Sequence, residues 1–491
     1  MQDIVQNILS QMAYDPKQPL IFSSGMFLVM WVLFTGVYYM LHGKNTARIA
    51  FVTLFSYYFY YKSSGFYFFL LAIVTVSDFA IAKRMLTRPA RKKTLLLLSL
   101  LIDLGLLAYF KYTNFFGATL AGIIGANFQP WDIFLPVGIS FFTFQSLSYT
   151  IDVYRGQLRP LDSLLDYAFY VSFFPQLVAG PIVRARDFVP QIRRPVTITR
   201  EMMAMGVYLV LIGLFKKAVI SDYISVNFVD RIFDNPLRYT GVENLLGSLG
   251  YTLQLYCDFS GYSDMAIGLA LLLGFHFPKN FNAPYKAVSV RDFWRRWHIS
   301  LSTWIRDYVY ISMGGNRKGK ARTYVHLLAT MLLAGLWHGA AWNFIAWGGL
   351  HGLALACHKF YRQYIVRHDK GYRSQGLKRV GGMIVTFAFV SFAWLIFRNR
   401  DMGNAGIMLQ QMLTNFHGEL IGQVLLGYKW VMLLMAFGLV SHYVPEKWEN
   451  AAVKALSKCN VMIYAILLAA LIYLICQIKT SDIQPFIYFQ F

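Results

Sequence analysis

The sequence is poor in charge. Asp, Glu, Lys and Arg make up 14% of its 491 residues, against about 25% in average soluble domains. A chain of this length has room for two or three soluble domains but lacks the polar residues to cover them. That shortage excludes a soluble enzyme, and 57% hydrophobic content excludes a disordered chain. Acidic residues are the scarcer sign, 24 against 46 basic, a net charge of +22. In a polar protein that excess would suggest nucleic acid. Here it reads as Lys and Arg in cytoplasmic loops drawn to anionic lipid, with no nucleic-acid partner. The four cysteines (Cys257, Cys357, Cys459, Cys476) lie far apart and form no CxxC pair, so neither a disulfide framework nor a zinc knuckle is implied. The first twenty residues lack a basic n-region, an apolar h-region and a cleavage site. No signal peptide is read there, and the apolar run from Ile21 is expected to be an uncleaved insertion signal. HExxH, GxSxG and a GxGxxG after a strand are all missing, and the histidines are too scattered to suggest a metal site.

What the sequence has is apolar length. A membrane crossing needs about 20 apolar residues. Plain candidates run near 21–41, 48–62, 64–82, 94–110, 205–221, 380–397, 428–444 and 461–478. Less regular stretches near 131–150, 166–183, 243–257 and 262–277 contain Pro, Gly and polar residues. Hydrocarbon tolerates those only where protein or water covers the backbone, so the middle of the chain reads as broken helices around a cavity. Basic clusters at Lys83–Lys93, Arg184–Arg200, Arg291–Arg322, Lys359–Arg379 and Lys447–Lys458 give the orientation. Placing them in the cytoplasm puts both termini outside.

Chemistry concentrates between 251 and 359. Asp258, Ser260, Ser263 and Asp264 interrupt a membrane-like stretch. Acidic residues at that depth usually face an interior or a water path, although bracing of helices is the plainer reading. The segment VRDFWRRWHISLSTWIRDYVYISMGGNRKGK is too charged to span. As one helix it places Trp294, Trp297, Leu301, Ile305 and Tyr308 on one face, with His298 beside them and Arg295, Arg296 and Arg306 elsewhere. That describes an interfacial helix presenting one imidazole inward. The loop GGNRKGKA nearly fits a P-loop, but Ala321 replaces the metal-binding hydroxyl and no strand precedes it. A basic loop of this kind can still meet ligand phosphates.

Residues 323–359 lie between basic loops and should enter and leave on one side. They are too short for two full crossings, so a re-entrant hairpin or two short tilted helices is expected, turning near Gly335–Gly339. His338 is then about 24 Å from Arg322 and deep in the bilayer. A neutral imidazole there can take a proton from a hydroxyl. His351, in GGLHG, reads as structural, and His276, His326 and His358 as interface residues.

At these residues the sequence resembles the bacterial membrane-bound O-acyltransferases. The strings LPVGISFFTFQSLSYTIDVYRG, FFPQLVAGPIVRARDF, YCDFSGYSDMAIGLALLLGF, NFNAPYKAVSVRDFWRRWHISLSTWIRDYVYISMGGNRKG and AGLWHGAAWNFIAWGGLHG carry the likeness over about residues 20 to 400. The branch most like it is the membrane subunit of alginate O-acetyltransferases, with teichoic acid D-alanyltransferases more distant. Cys257 and Ser312 depart from the usual aromatic and Pro.

The resemblance implies an all-α polytopic protein with about 11 spans, plus re-entrant and interfacial helices, around a trans-bilayer tunnel. Residues 1–20 would form an extracytoplasmic segment, 21–400 the acyltransferase core and 401–491 extra spans. It implies His338 as the invariant histidine acting as general base, and His298 as the second motif histidine. An oxyanion donor would come from His298 or from an indole such as Trp337, and Asp258 and Trp337 are tunnel-lining candidates. Arg295, Arg296, Arg317 and Lys318 are candidates for holding donor phosphates. No bound cofactor is implied. The donor would be acetyl-coenzyme A or another acyl thioester on the cytoplasmic side. The acceptor would be a secreted polysaccharide, reached through an SGNH-type extracytoplasmic partner at the inner membrane. D-alanyl transfer to a teichoic-acid-type polymer is the alternative within the family. A transporter or flippase is the alternative outside it, although no internal repeat is evident.

Overall fold

Helix is the only regular element among the residues that this computed structural model describes, namely 10–16, 19–366, 375–478 and 486. Parts of the expected 1–20 segment and of the basic run 359–379 therefore lie outside the described residues. Five helical runs are long and apolar enough to cross a membrane: Asn45–Thr87, Pro89–Ile124, Arg200–Asp234, Gly376–Arg398 and Val461–Ile478. Gly418–Gly427 and Lys429–Ser441, bent by 92° at their junction, make a sixth if taken as one broken span. Gly25–Met40 is apolar but shorter.

By apolar length alone the described residues thus offer five or six crossings where about eleven are expected. The stretches expected at 48–62 and 64–82 form one helical run with a single tight turn at Gly65–Tyr67. Several other expected spans carry too many polar residues to count by hydropathy, because protein covers them. Ile139–Tyr154 is the clearest: Thr143, Gln145, Ser146, Ser148, Thr150 and Asp152 are all buried along it. The reverse holds for Val461–Ile478, only 6% of whose apolar window is buried inside the protein. Such a helix needs lipid around it.

The chain divides into two compact units, and one of them holds residues 1–210, 262–278 and 481–490. Its core is aromatic. Phe174 packs edge-on to Phe34 and Phe55 with ring centroids 5.5 and 5.1 Å away, and Phe22 stacks on Phe59 at 5.6 Å. Offset and edge-to-face geometry satisfies the ring quadrupoles. The same unit buries Asp78, whose carboxylate accepts hydrogen bonds from Ser99 (2.7 Å) and Ser146.

The other unit holds residues 211–261 and 279–480. Into it runs the first part of Gly241–Leu272, a helix of 32 residues and about 48 Å. The sequence suggests two broken stretches here, at 243–257 and 262–277. The helix instead runs unbroken from Gly241 to Leu272, with Asp258, Ser260 and Ser263 buried along it. Lys320–His338 and Trp342–Phe360 form a hairpin as expected, with the turn at 339–341, but its two helices are longer than the short ones expected. At 19 residues each, these helices are about 28 Å long, close to the thickness of the hydrocarbon layer.

The single interfacial helix expected around His298 is not present. The chain forms Val290–Phe293, turns, and resumes as Ile299–Trp304, which widens into a π-helical stretch over Ile305–Tyr310. His298 sits at the break with φ 42° and ψ 55°, the left-handed region. Competing hydrogen bonds explain the break. The Ile299 N–H donates to the Asn280 carbonyl (2.9 Å) and the Asn282 N–H to the Arg296 carbonyl (2.9 Å), so the 280–282 segment draws the backbone out of the helix. The apolar face survives, with Trp297, Leu301, Ile305 and Tyr308 buried.

Candidate functional site

The hairpin is held close by glycine. A Cβ on Gly335 would lie 2.1 Å from the Phe344 carbonyl oxygen, and one on Gly348 would lie 2.3 Å from that of Met331. The two backbones therefore touch along this seam, an approach that only small residues permit. The approach places His338, the last residue of its helix, against the neighbouring one. Its ring meets Trp347 at 5.1 Å, Phe397 at 5.4 Å and the adjacent Trp337 at 4.9 Å, each near edge-on. His338 is only 3% exposed. Phe397 is tied in turn to the hairpin, because the Asn343 side-chain amide donates to its carbonyl at 2.8 Å.

His298 is fully buried and also neighbours Trp337, with ring centroids 6.1 Å apart. Phe259 packs edge-on against it at 4.6 Å. Its Nδ1 is 3.2 Å from Asn280 Oδ1, and the same oxygen accepts hydrogen bonds from the Ser300 N–H (3.2 Å) and the Ser300 hydroxyl (2.9 Å). Its Nε2 is buried and makes no hydrogen bond among the described residues. Burial disfavours the charged imidazole and holds its pKa down, at about 3. His298 is therefore neutral throughout the physiological range.

The structure thus gathers His298, Trp337 and His338 into one aromatic-walled cluster, and His351, read as structural in the sequence, packs beside it. His351 is fully buried. Its Nδ1 accepts a hydrogen bond from the Trp294 indole N–H at 3.2 Å, and its ring lies 4.9 Å from that of Trp347, the same indole that meets His338. The available signal was the Trp347–His351 spacing of i to i+4, which puts both on one helical face.

Asp258, a tunnel-lining candidate, sits in a buried ion triplet. Lys217 donates to Asp258 Oδ1 at 2.6 Å and to Asp222 Oδ1 at 2.8 Å, with the lysine and Asp258 side chains 4% and 3% exposed. This buried ion triplet braces the helix that carries Phe259. A lysine inside an apolar span is the signal that could have found it. Of the basic candidates, Arg296 is committed to the fold: it donates to Asp292 Oδ2 (3.1 Å) and to the Asn282 carbonyl (3.3 Å). Arg295, Arg317 and Lys318 are exposed. No three His, Cys, Asp or Glu residues among those described could hold a metal ion together.

A cluster of this kind, buried imidazoles beside indole rings, suits acid–base work on a hydroxyl. The model of the membrane-bound O-acyltransferase (MBOAT) family matches residues 104–369, which include every residue of the cluster except Phe397. The chain is 39% identical over 447 residues to the probable alginate O-acetylase AlgI of Pseudomonas aeruginosa, covering 86% of this chain and 82% of that protein. It is 38% identical over 367 residues to the peptidoglycan O-acetyltransferase of Helicobacter pylori, covering 69% and 68%. To the teichoic acid D-alanyltransferase of Bacillus subtilis it is 30% identical over 329 residues, covering 60% and 81%.

Proposed function

This chain belongs to the membrane-bound O-acyltransferase family and is an O-acyltransferase, and from that premise we propose that it carries an acetyl group from a cytoplasmic thioester to the outer side of the membrane for O-acetylation of a secreted polysaccharide. The observation that carries the reading is that His338 and His298, both buried, each lie in ring contact with Trp337, at 4.9 and 6.1 Å between centroids. The O-acetyl branch is favoured over D-alanyl transfer because the acetylating relatives match more of the chain at higher identity. The protein would be an inner-membrane protein with about eleven spans and both termini outside, its core over 21–400 and its further spans over 401–491.

In this reaction the acceptor hydroxyl, on an SGNH-type partner or on the polymer itself, is hydrogen-bonded to His338. As its oxygen bonds to the thioester carbonyl carbon, its proton passes to the imidazole. The C–S bond then breaks, and the proton moves on to the departing thiolate. Negative charge on the carbonyl oxygen needs a fixed donor in a dry site, a role that the Trp337 indole N–H fits. Acetyl-coenzyme A is the donor proposed, with Arg295, Arg317 and Lys318 free of structural duties comparable to those of Arg296 and suited to its phosphates.

His338→Ala tests the assignment. Loss of a general base costs about 10²- to 10⁴-fold, so cells carrying the variant at normal membrane levels should deposit polymer without detectable O-acetyl groups. Polymer acetylated at the wild-type rate would remove His338 from the mechanism.

A further inference from the structure

The proton position on His298 can be read from its neighbours. One side-chain atom of Asn280 faces the Ser300 backbone N–H at 3.2 Å, the Ser300 hydroxyl at 2.9 Å and His298 Nδ1 at 3.2 Å. A backbone N–H can only donate, so the atom it faces is the amide oxygen, not the nitrogen. That oxygen is an acceptor only. A lone pair on His298 Nδ1 would therefore point at another lone pair, whereas a hydrogen there completes a hydrogen bond. The Ser300 hydroxyl does not offer Nδ1 an equal alternative, because it lies 3.5 Å from Nδ1 and is already committed to Asn280. A neutral imidazole carries one N–H. With the hydrogen on Nδ1, the buried Nε2 is a bare lone pair.

The backbone reinforces this. His298 is held at φ 42° and Ala283 at φ 43°, two of the three non-glycine residues with positive φ among those described. Both belong to the segments that Asn280 and Asn282 join to residues 296–300. Such conformations persist only where surrounding contacts over-determine them. His351 is set in the opposite sense. Its Nδ1 accepts from the Trp294 indole, so its hydrogen is on Nε2.

We infer that Asn280 is a positioning residue that fixes His298 in the Nδ1–H form, so that His298 serves the acyl-transfer site through Nε2 as a hydrogen-bond acceptor for an O–H or N–H of the bound substrate. This rests on the acyltransferase reading for its functional half. It removes His298 from the oxyanion donors and leaves that role to groups carrying hydrogen, such as the indoles.

Nitrogen-15 NMR of the histidine-labelled full-length protein in lipid tests the proton position directly, with the His298 signals assigned by their loss in His298→Gln. Wild type should show a protonated Nδ1 and a bare Nε2. Asn280→Leu should show the two forms mixed or reversed, and kcat/KM for acetyl transfer should fall about tenfold or more. Asn280→Asp keeps an acceptor in place, so it should keep the wild-type form and recover activity. Its negative charge also stabilises protonated His298, so an acid limb absent from wild type should appear as pH falls. A hydrogen on Nε2 in wild type, or an Asn280→Leu spectrum unchanged from wild type, overturns the inference. A wild-type protein with the expected nitrogen pattern but no acetyl transfer would instead contradict the acyltransferase reading and leave the Asn280–His298 arrangement standing.

Discussion

At the scale of single residues, charge deep in the protein is tolerated only where it is matched. Lys217 serves Asp258 and Asp222 together, in a helix that otherwise reads as a plain span. Removing one member of a buried ion pair costs about 3–5 kcal/mol, because the remaining charge keeps its desolvation penalty. Lys217→Met should therefore lower the melting temperature of the detergent-solubilised protein sharply. Lys217→Met combined with Asp258→Leu should recover part of the loss, since only Asp222, 24% exposed, then lacks its cation. Equal melting temperatures for wild type and Lys217→Met would show that the triplet does not support the fold.

Residue by residue, legibility in the sequence followed the range of the interaction. His298 and His338 stood out because an imidazole in an apolar, Trp-rich stretch is unusual in itself. Asn280, Lys217 and His351 did not, because each acquires its role from a partner 18 to 57 positions away: His298, Asp258 and Trp294. An asparagine before a turn and a lysine near a span end have ordinary local explanations. Nothing short of the tertiary contact distinguishes the asparagine, whereas the lysine is at least unusual for lying inside an apolar span.

At the scale of elements, periodicity found the apolar faces but not the breaks. The run from Trp294 to Tyr308 buries the expected side, yet its helix is interrupted at His298 by hydrogen bonds to a segment that the pattern does not include. The hairpin was legible because its glycines and flanking basic loops are local signals. Its seam makes a sharp prediction. Gly335→Ala would drive a Cβ to 2.1 Å from the Phe344 carbonyl, a backbone atom that cannot swing away. Overpacking of this kind costs about 1–3 kcal/mol or more, and here it also displaces His338 three residues on. Gly349→Ala meets only the Leu332 side chain, at 3.7 Å. The first variant should lose folded protein or activity in a membrane-extract assay while the second matches wild type. Equal behaviour of the two would contradict the close approach.

At the scale of the whole molecule, the low charge that excluded a soluble protein also blurred the count of crossings. Hydropathy recognises helices such as Val461–Ile478 that face lipid, and passes over helices such as Ile139–Tyr154 whose polar residues are covered by protein. The basic loops carry the orientation instead. With those loops in the cytoplasm, alkaline phosphatase fused after Phe491 should be active and green fluorescent protein at the same position dark. The opposite pattern would reverse the proposed sidedness of donor and acceptor.

With buried His338 as the base, the protein should pass an acetyl group from a thioester on the cytoplasmic side to a hydroxyl on the other. The most direct measurement of this transfer uses purified protein in sealed vesicles, with labelled acetyl-coenzyme A supplied only at the face bearing the 291–322 basic segment and a hydroxyl acceptor only at the other. Wild type should place label on the acceptor, and His338→Ala, equally folded, should not. Label on the acceptor at equal rates with both proteins, or no transfer by wild type with its acceptor partner present, would contradict the account.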